Sequence, residues 1–178
     1  MFRSFVRVAL LAAPIIVAGQ AQAQETASVP DADASVTIIL PITIAQTTAL
    51  NFGRIVKGDE AGSVTVNKDT GAFDFTNAGG AVAASGAGIA PSRGVFTVGG
   101  EAGTGFDIDV DASVVLTSQN DDELTVTLTG DGTGTLSGTL GSAVAGSATV
   151  YVGGSLALLA DTPAGSYTGT YAISVTYN

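Results

Sequence analysis

An antiparallel β-sandwich of about nine or ten short strands is the fold this sequence predicts, and three observations predict it. Apolar residues recur at period two through most of the chain, the spacing that puts alternate side chains on one face of a strand. Glycine is abundant, with 24 in 178 residues, so the strand-like runs are cut short by turns. Beyond the first residues, no segment carries a helical apolar period with caps at its ends.

The chain starts with a targeting segment. Arg3 and Arg7 supply positive charge, Val8 to Ala18 is an apolar run, and Ala21-Gln22-Ala23 places small residues where signal peptidase reads them. Residues 1–23 therefore predict a cleaved signal peptide and export to the periplasm, the outer surface or the medium. A membrane span takes about 20 apolar residues. This run is roughly half that, and no stable span is expected after cleavage. With no cysteine in the chain, a lipid-anchored lipoprotein is excluded. Residues 24–34 (QETASVPDADA) predict a polar, flexible N-terminus, and residues 35–178 a single β-sandwich domain.

In that domain Val36, Ile38, Leu40, Ile42 and Ile44 alternate without a break, with Pro41 on the opposite phase, as only an edge strand or a bulge tolerates. Leu50 with Phe52, Val64 with Val66, and Phe73 with Phe75 predict short strands, an Asn67-Lys68-Asp69 turn following the second. Ala78 to Gly94 has so little side chain to pack that it reads as a mobile loop or a poorly specified edge. Strand patterns resume at Val95 to Val98, then at Phe106, Ile108 and Val110, at Val114 and Leu116, and at Leu124, Val126 and Leu128. After a Gly130-Asp131-Gly132 turn comes a weaker segment around Leu136 and Leu140. Val150 and Val152 precede a predicted turn at Gly153-Gly154, with Leu156 and Leu158 beyond it. The most regular strand is the last, where Tyr167, Gly169, Tyr171, Ile173, Val175 and Tyr177 share one face.

Charge and chemistry narrow the function. Cleavage would remove two arginines from a chain of net charge −10, leaving a more acidic protein that repels nucleic acid and anionic lipid. Without histidine or cysteine there is no Ser-His-Asp or Cys-His nucleophile and no imidazole base. No catalytic residue and no cofactor-binding residue is expected, and the protein is not expected to be an enzyme. Asp107, Asp109 and Asp111 project from one strand face, and Asn120-Asp121-Asp122-Glu123 fills a turn, but neither has the spacing of a calcium loop. No metal site is expected. The glycine pairs lack the following helix and lysine of a phosphate loop.

Five stretches carry a family resemblance: Ala49-Leu-Asn-Phe-Gly-Arg-Ile-Val56, Gly94-Val-Phe-Thr-Val-Gly-Gly100, Tyr151-Val-Gly-Gly154, Pro163-Ala-Gly-Ser-Tyr-Thr-Gly-Thr-Tyr171 and Val175-Thr-Tyr-Asn178. Through them the chain resembles, over nearly its whole mature length, an exported bacterial family known as a domain of unknown function (the DUF 4402 type). Leu50, Asn51, Phe52, Gly53, Gly153, Gly154 and Gly165 are the motif positions. The Leu-Asn-Phe-Gly element and the closing Gly-x-Tyr strand are also similar to subunits of archaic chaperone–usher pili and the spore-coat U group. That similarity implies an incomplete immunoglobulin-like, pilin-like sandwich that polymerises by donating an N-terminal strand to the next subunit. The last strand would leave an uncovered edge, which is a template for strand addition. Residues 24–34 hold only Val29 as a strong apolar residue, so Ser35 to Ile44 is the better donor. The expected exchange interface is Val36, Ile38, Leu40, Ile42 and Ile44 against Tyr167, Tyr171, Ile173, Val175 and Tyr177.

Three functions follow as expectations. The first is a structural or adhesive surface protein, a fimbrial-subunit-like module whose partners are further copies or other envelope proteins, a periplasmic chaperone and an usher among them. The second is a monomeric, self-complemented periplasmic or surface module that binds a glycan or an envelope protein, with Ala78–Gly94 as its variable surface. The third is a small outer-membrane barrel. Barrel strands need about 9–11 residues and two aromatic girdles, against shorter strands here and 6% aromatic residues.

Overall fold

A computed structural model describes residues 28, 31–75, 77–84, 88, 90–142 and 144–178, and the expected signal peptide lies outside them. No helix occurs among the described residues. Twelve strands follow one another: β1 (Thr43–Thr48), β2 (Ile55–Val56), β3 (Gly62–Val66), β4 (Phe73–Asp74), β5 (Val82–Ala83), β6 (Gly94–Glu101), β7 (Gly105–Val110), β8 (Ser113–Thr117), β9 (Glu123–Gly130), β10 (Thr133–Thr135), β11 (Ala145–Leu158) and β12 (Ile173–Tyr177). All pairings between them are antiparallel. The fold is an all-β antiparallel sandwich. Two strands beyond the expected count are the two-residue β2 and β5, which among the described residues pair with each other alone.

The long strand β11 organises the larger sheet. Its first half, Ala145–Val152, pairs with β6, and its second half, Gly154–Leu158, pairs with β3. Val152 pairs with Gly94 and with Gly130, and Gly154–Leu156 pair with both β3 and β9. β9 therefore occupies the edge opposite β6 and β3. β1 adds to the outer side of β6, β4 to β3, and β8 to β9. A smaller sheet has the order β10-β7-β12. Between the sheets lies one core in which Val64, Phe96, Val98, Phe106, Val126, Leu136, Val150 and Val152 are buried. The alternation read from the sequence is what aims these residues inward.

Four expectations change. First, Gly153-Gly154 is not a turn, because β11 runs straight through it. A Cβ on Gly153 would stand 2.4 Å from the Val66 carbonyl oxygen and one on Gly154 would stand 2.9 Å from Val126. These glycines admit neighbouring chain rather than reverse direction. Second, Ser35 to Ile44 is not one strand, since β1 begins only at Thr43. Pro41 lacks the N–H a ladder needs, and the strand forms beyond it. Third, Leu50 and Phe52 follow β1 in irregular chain held by an isolated bridge between Asn51 and Ser92. Fourth, Ala78–Gly94 is packed at its start, while Val82, Ala83, Gly88, Ala90 and Pro91 are exposed. Ala78 and Ala81 are buried, and β5 and the start of β6 lie within it. The chain at Gly58–Gly62 crosses directly over Asn77–Ala81, where a Cβ on Gly58 would overlap the Gly79 carbonyl. Small residues are there because two backbones touch.

The last strand keeps its predicted phase but is shorter, Ile173–Tyr177, preceded by extended chain that bridges Thr168 to Thr117. Tyr171, Ile173, Val175 and Tyr177 are half-buried against the core, while Ala172, Ser174 and Thr176 are exposed. Ile173→Asp should therefore cost about 3 kcal/mol, lost apolar contact plus an unpaired charge at the core margin. Ser174→Asp should stay within about 0.5 kcal/mol. Denaturation midpoints of the two variants check the phase directly.

Candidate strand-exchange site

β1 is an edge of the larger sheet, β12 is an edge of the smaller one, and the two lie against each other. Among the described residues β1 has a ladder only with β6, and β12 only with β7. Where they approach, the two strands form a short seam. On the β12 side stand Tyr171, Ile173, Val175 and Tyr177, and on the β1 side Ile42 and Ile44, all half-buried against the core.

The expected interface divides into three parts. Ile42, Ile44, Tyr171, Ile173, Val175 and Tyr177 pack against their own core. Val36 and Ile38 are 83% and 88% exposed, and Leu40 is at 39%. Tyr167 stands apart from the seam, its hydroxyl donating to the Pro163 carbonyl at 2.8 Å. The seam is thus assembled from Ile42, Ile44, Tyr171, Ile173, Val175 and Tyr177, with Val36 and Ile38 projecting from the arm before β1.

The two tyrosines of the seam explain two glycines of β6. A Cβ on Gly94 would lie 2.9 Å from the Tyr171 hydroxyl, and one on Gly100 would lie 2.2 Å from that of Tyr177. Each phenol is seated in the space a side chain would take. Tyr171 also packs edge-on to Phe96, with ring centroids 6.4 Å apart. The Tyr177 hydroxyl donates to the Leu40 carbonyl at 2.8 Å and accepts from the Glu101 amide at 2.7 Å. The Tyr171 hydroxyl is buried and has no hydrogen-bond partner among the described residues. At the Tyr171 end the seam opens into a hollow of about 50 Å³ lined by Leu50, Phe52, Val114, Leu116, Val126, Gly169 and Tyr171.

Burial holds the Tyr171 phenol above its ordinary pKa. An unsatisfied buried hydroxyl costs stability that phenylalanine would not. Tyr171→Phe is therefore expected to stabilise the protein by about 1 kcal/mol. The unfolded tyrosine ionises near pH 10 while the folded one stays protonated, so wild-type stability falls as pH rises past 10. The advantage of the variant should widen there. Urea midpoints at neutral pH and above pH 10 test both parts.

The motif at Leu50-Asn-Phe-Gly53 is a built turn. The Asn51 carboxamide oxygen accepts from the Gly53 amide at 2.6 Å, and Gly53 has φ +67°, which favours glycine. Asn51 and Ser92 exchange two main-chain bonds of 2.8 Å, and the Ser92 hydroxyl donates to the Ala49 carbonyl. This fixing of the segment aims Leu50 and Phe52 into the hollow. Gly165 is exposed, and a Cβ there would meet only ordinary contacts. Its motif status has no steric reason in the fold.

Tyr151, at the centre of β11, carries Arg93 stacked 3.6 Å above its ring. Arg93 donates to the carbonyls of Lys68 and Asp69, and Asp131 accepts from the Tyr151 amide at 2.9 Å and from Lys68 at 2.8 Å. The Asp131 hydrogen bond, followed by that from Asp69, raises the Lys68 pKa. This knot pins the β3–β4 and β9–β10 turns onto β11 where the strand changes partner. Asp107 and Asp109 point to solvent, and Asp111 accepts from the Ala172 amide at 2.6 Å. No group of three or more acidic residues among the described ones is placed to hold a metal ion.

The family described as domain of unknown function (DUF4402) matches residues 42–177. The chain belongs to that family. Its match begins just before β1 and takes in every strand and both sides of the seam. No curated protein and no solved structure matches the chain. For this DUF4402 domain, Glu101 is a seam residue that sequence reasoning did not name, and Gly94 and Gly100 were quoted as ends of a motif stretch without their role beneath the two tyrosines. The signal was present for the glycines, since Gly94 and Gly100 share the six-residue spacing of Tyr171 and Tyr177.

Proposed function

We propose that this DUF4402 protein is an exported structural or adhesive subunit of the cell envelope, fimbrial in character, which associates by adding its N-terminal arm to the seam of another copy. One observation carries the reading. Val36 and Ile38, two alternate apolar residues, are exposed in the chain that leads to β1, while among the described residues β1 and β12 each have a ladder on one edge alone. Exposed apolar side chains on an extended segment and an open, half-buried edge are the two halves of strand addition. The signal-like residues 1–23 and the acidic composition support an exported, soluble subunit.

The energetics set the strength. Ile42 and Ile44 are committed to their own subunit, so Val36 and Ile38 are the anchors that remain. At about 1.5–3 kcal/mol each, plus a short ladder and less the ordering cost, they support reversible association. Sedimentation velocity of the mature chain over a range of concentrations tests this, beside a chain lacking residues 24–39. Association of the first and a monomeric second is expected, and a wild type that stays monomeric at the highest concentration overturns the reading.

The second reading, a self-complemented module with a glycan or envelope-protein ligand, is favoured by β1, which pairs with β6 of its own chain. The same experiment separates the two, because such a module sediments as a monomer with or without the arm.

A further inference from the structure

We propose that Glu101 and Tyr177 form a clasp on Leu40 that sets where the donated arm ends and the subunit body begins. For the arm's role this rests on the strand-donation reading. The clasp itself is a feature of the single chain. Leu40 has both main-chain polar groups engaged by side chains: its N–H donates to Glu101 Oε2 at 3.3 Å, and its carbonyl accepts from the Tyr177 hydroxyl at 2.8 Å. The same hydroxyl accepts from the Glu101 amide at 2.7 Å, so one phenol ties the end of β6 to the residue before Pro41.

The two side chains are built into this position. Glu101 is only 6% exposed, and its other carboxylate oxygen accepts from the Gly141 amide at 3.3 Å. A carboxylate buried with main-chain N–H groups as its partners is retained at a cost that an apolar residue would avoid. The Tyr177 hydroxyl reaches Glu101 across Gly100, where any Cβ would lie 2.2 Å away.

The consequence is a limit on register. A strand joins a ladder through its N–H and C=O groups. The N–H of Leu40 is already spent on the clasp, its carbonyl is held toward Tyr177, and Pro41 has no N–H to offer. Residues up to Ile39 can add to another copy, and Leu40 onward stays with its own body. Glu101 and Tyr177 are positioning residues for the arm, and together they make the joint shorter than the Ser35–Ile44 alternation suggests.

Amide hydrogen exchange on the full mature chain tests the clasp, with Tyr177→Phe and Glu101→Gln beside the wild type. The Leu40 amide should be protected in the wild type and should exchange at least about tenfold faster in both variants, with Val98 and Val150 unchanged as reporters of global opening. On association at high concentration, protection should be gained at Thr37–Ile39 with no further change at Leu40. A wild-type Leu40 that exchanges at the free rate overturns the clasp, as does protection that persists in both variants. So does an association-induced change at Leu40 equal to that at Ile38. A chain that does not associate removes the donation reading alone, because the exchange rate of Leu40 in the monomer still decides the clasp.

Discussion

Gly153→Ala is expected to cost the protein at least about 3 kcal/mol, the upper end of what one added carbon does in a packed site. The reason is that the atoms in the way are backbone. The new Cβ would stand 2.4 Å from the Val66 carbonyl oxygen, 2.6 Å from the Lys68 amide nitrogen and 3.0 Å from its Cα. No rotamer change relieves such contacts, so β11 and the end of β3 must separate, and with them the Lys68–Asp131 pair. Domains of this size have about 5–15 kcal/mol of stability in total, and the loss should be visible as a large drop in melting temperature. Gly132→Ala is the matched control. It is exposed, with nothing within 4 Å of the added carbon, and is expected to be neutral.

Phe106→Ala should be as severe, at about 3–5 kcal/mol. Phe106 is fully buried in β7, between Gly134 of β10 and Tyr177 of β12 in the smaller sheet. Its ring lies where a side chain at Gly134 would be, 2.4 Å from that Cβ position. The two positions therefore share one volume. Gly134→Ala alone should destabilise, while adding it to Phe106→Ala should cost little or restore part of the loss by filling the cavity. A double-mutant cycle by urea denaturation reads the coupling, which should exceed about 1 kcal/mol.

These two sites also show what could be read from the sequence and what could not. Period-two alternation placed the inward faces of β3, β7, β8, β9, β11 and β12, because burial against one core is what alternation encodes. Phe106, Ile108, Val126 and Val150 are buried accordingly. Glycine was harder to read. Gly153 and Gly154 look like a turn in one dimension, yet they sit in a 14-residue strand because chain distant in sequence crosses them. The same cause packs the start of the small-residue stretch, Ala78 to Ala81, where Gly58 and Gly79 meet backbone to backbone.

The candidate site divides in the same way. Alternation found Ile42, Ile44, Ile173 and Val175. It could not show that Val36 and Ile38 stay exposed while Ile42 and Ile44 join their own core, because the division falls at Leu40. That residue is held by Glu101, 61 positions away, and by Tyr177, 137 positions away. Glu101 is the one buried carboxylate among the described residues, and nothing in its local sequence marks it out.

If Val36 and Ile38 of one copy meet the seam of another, as proposed, single introduced thiols report it, because the chain has no cysteine of its own. Chains carrying Ile38→Cys are mixed under mild oxidation with chains carrying Val175→Cys, which lies on the half-buried face of β12, or with chains carrying Thr127→Cys, on the exposed face of β9. Mixed disulfide dimers, identified by mass, should form much faster with the Val175 variant than with the Thr127 variant. Equal rates with both partners would contradict strand addition at the seam.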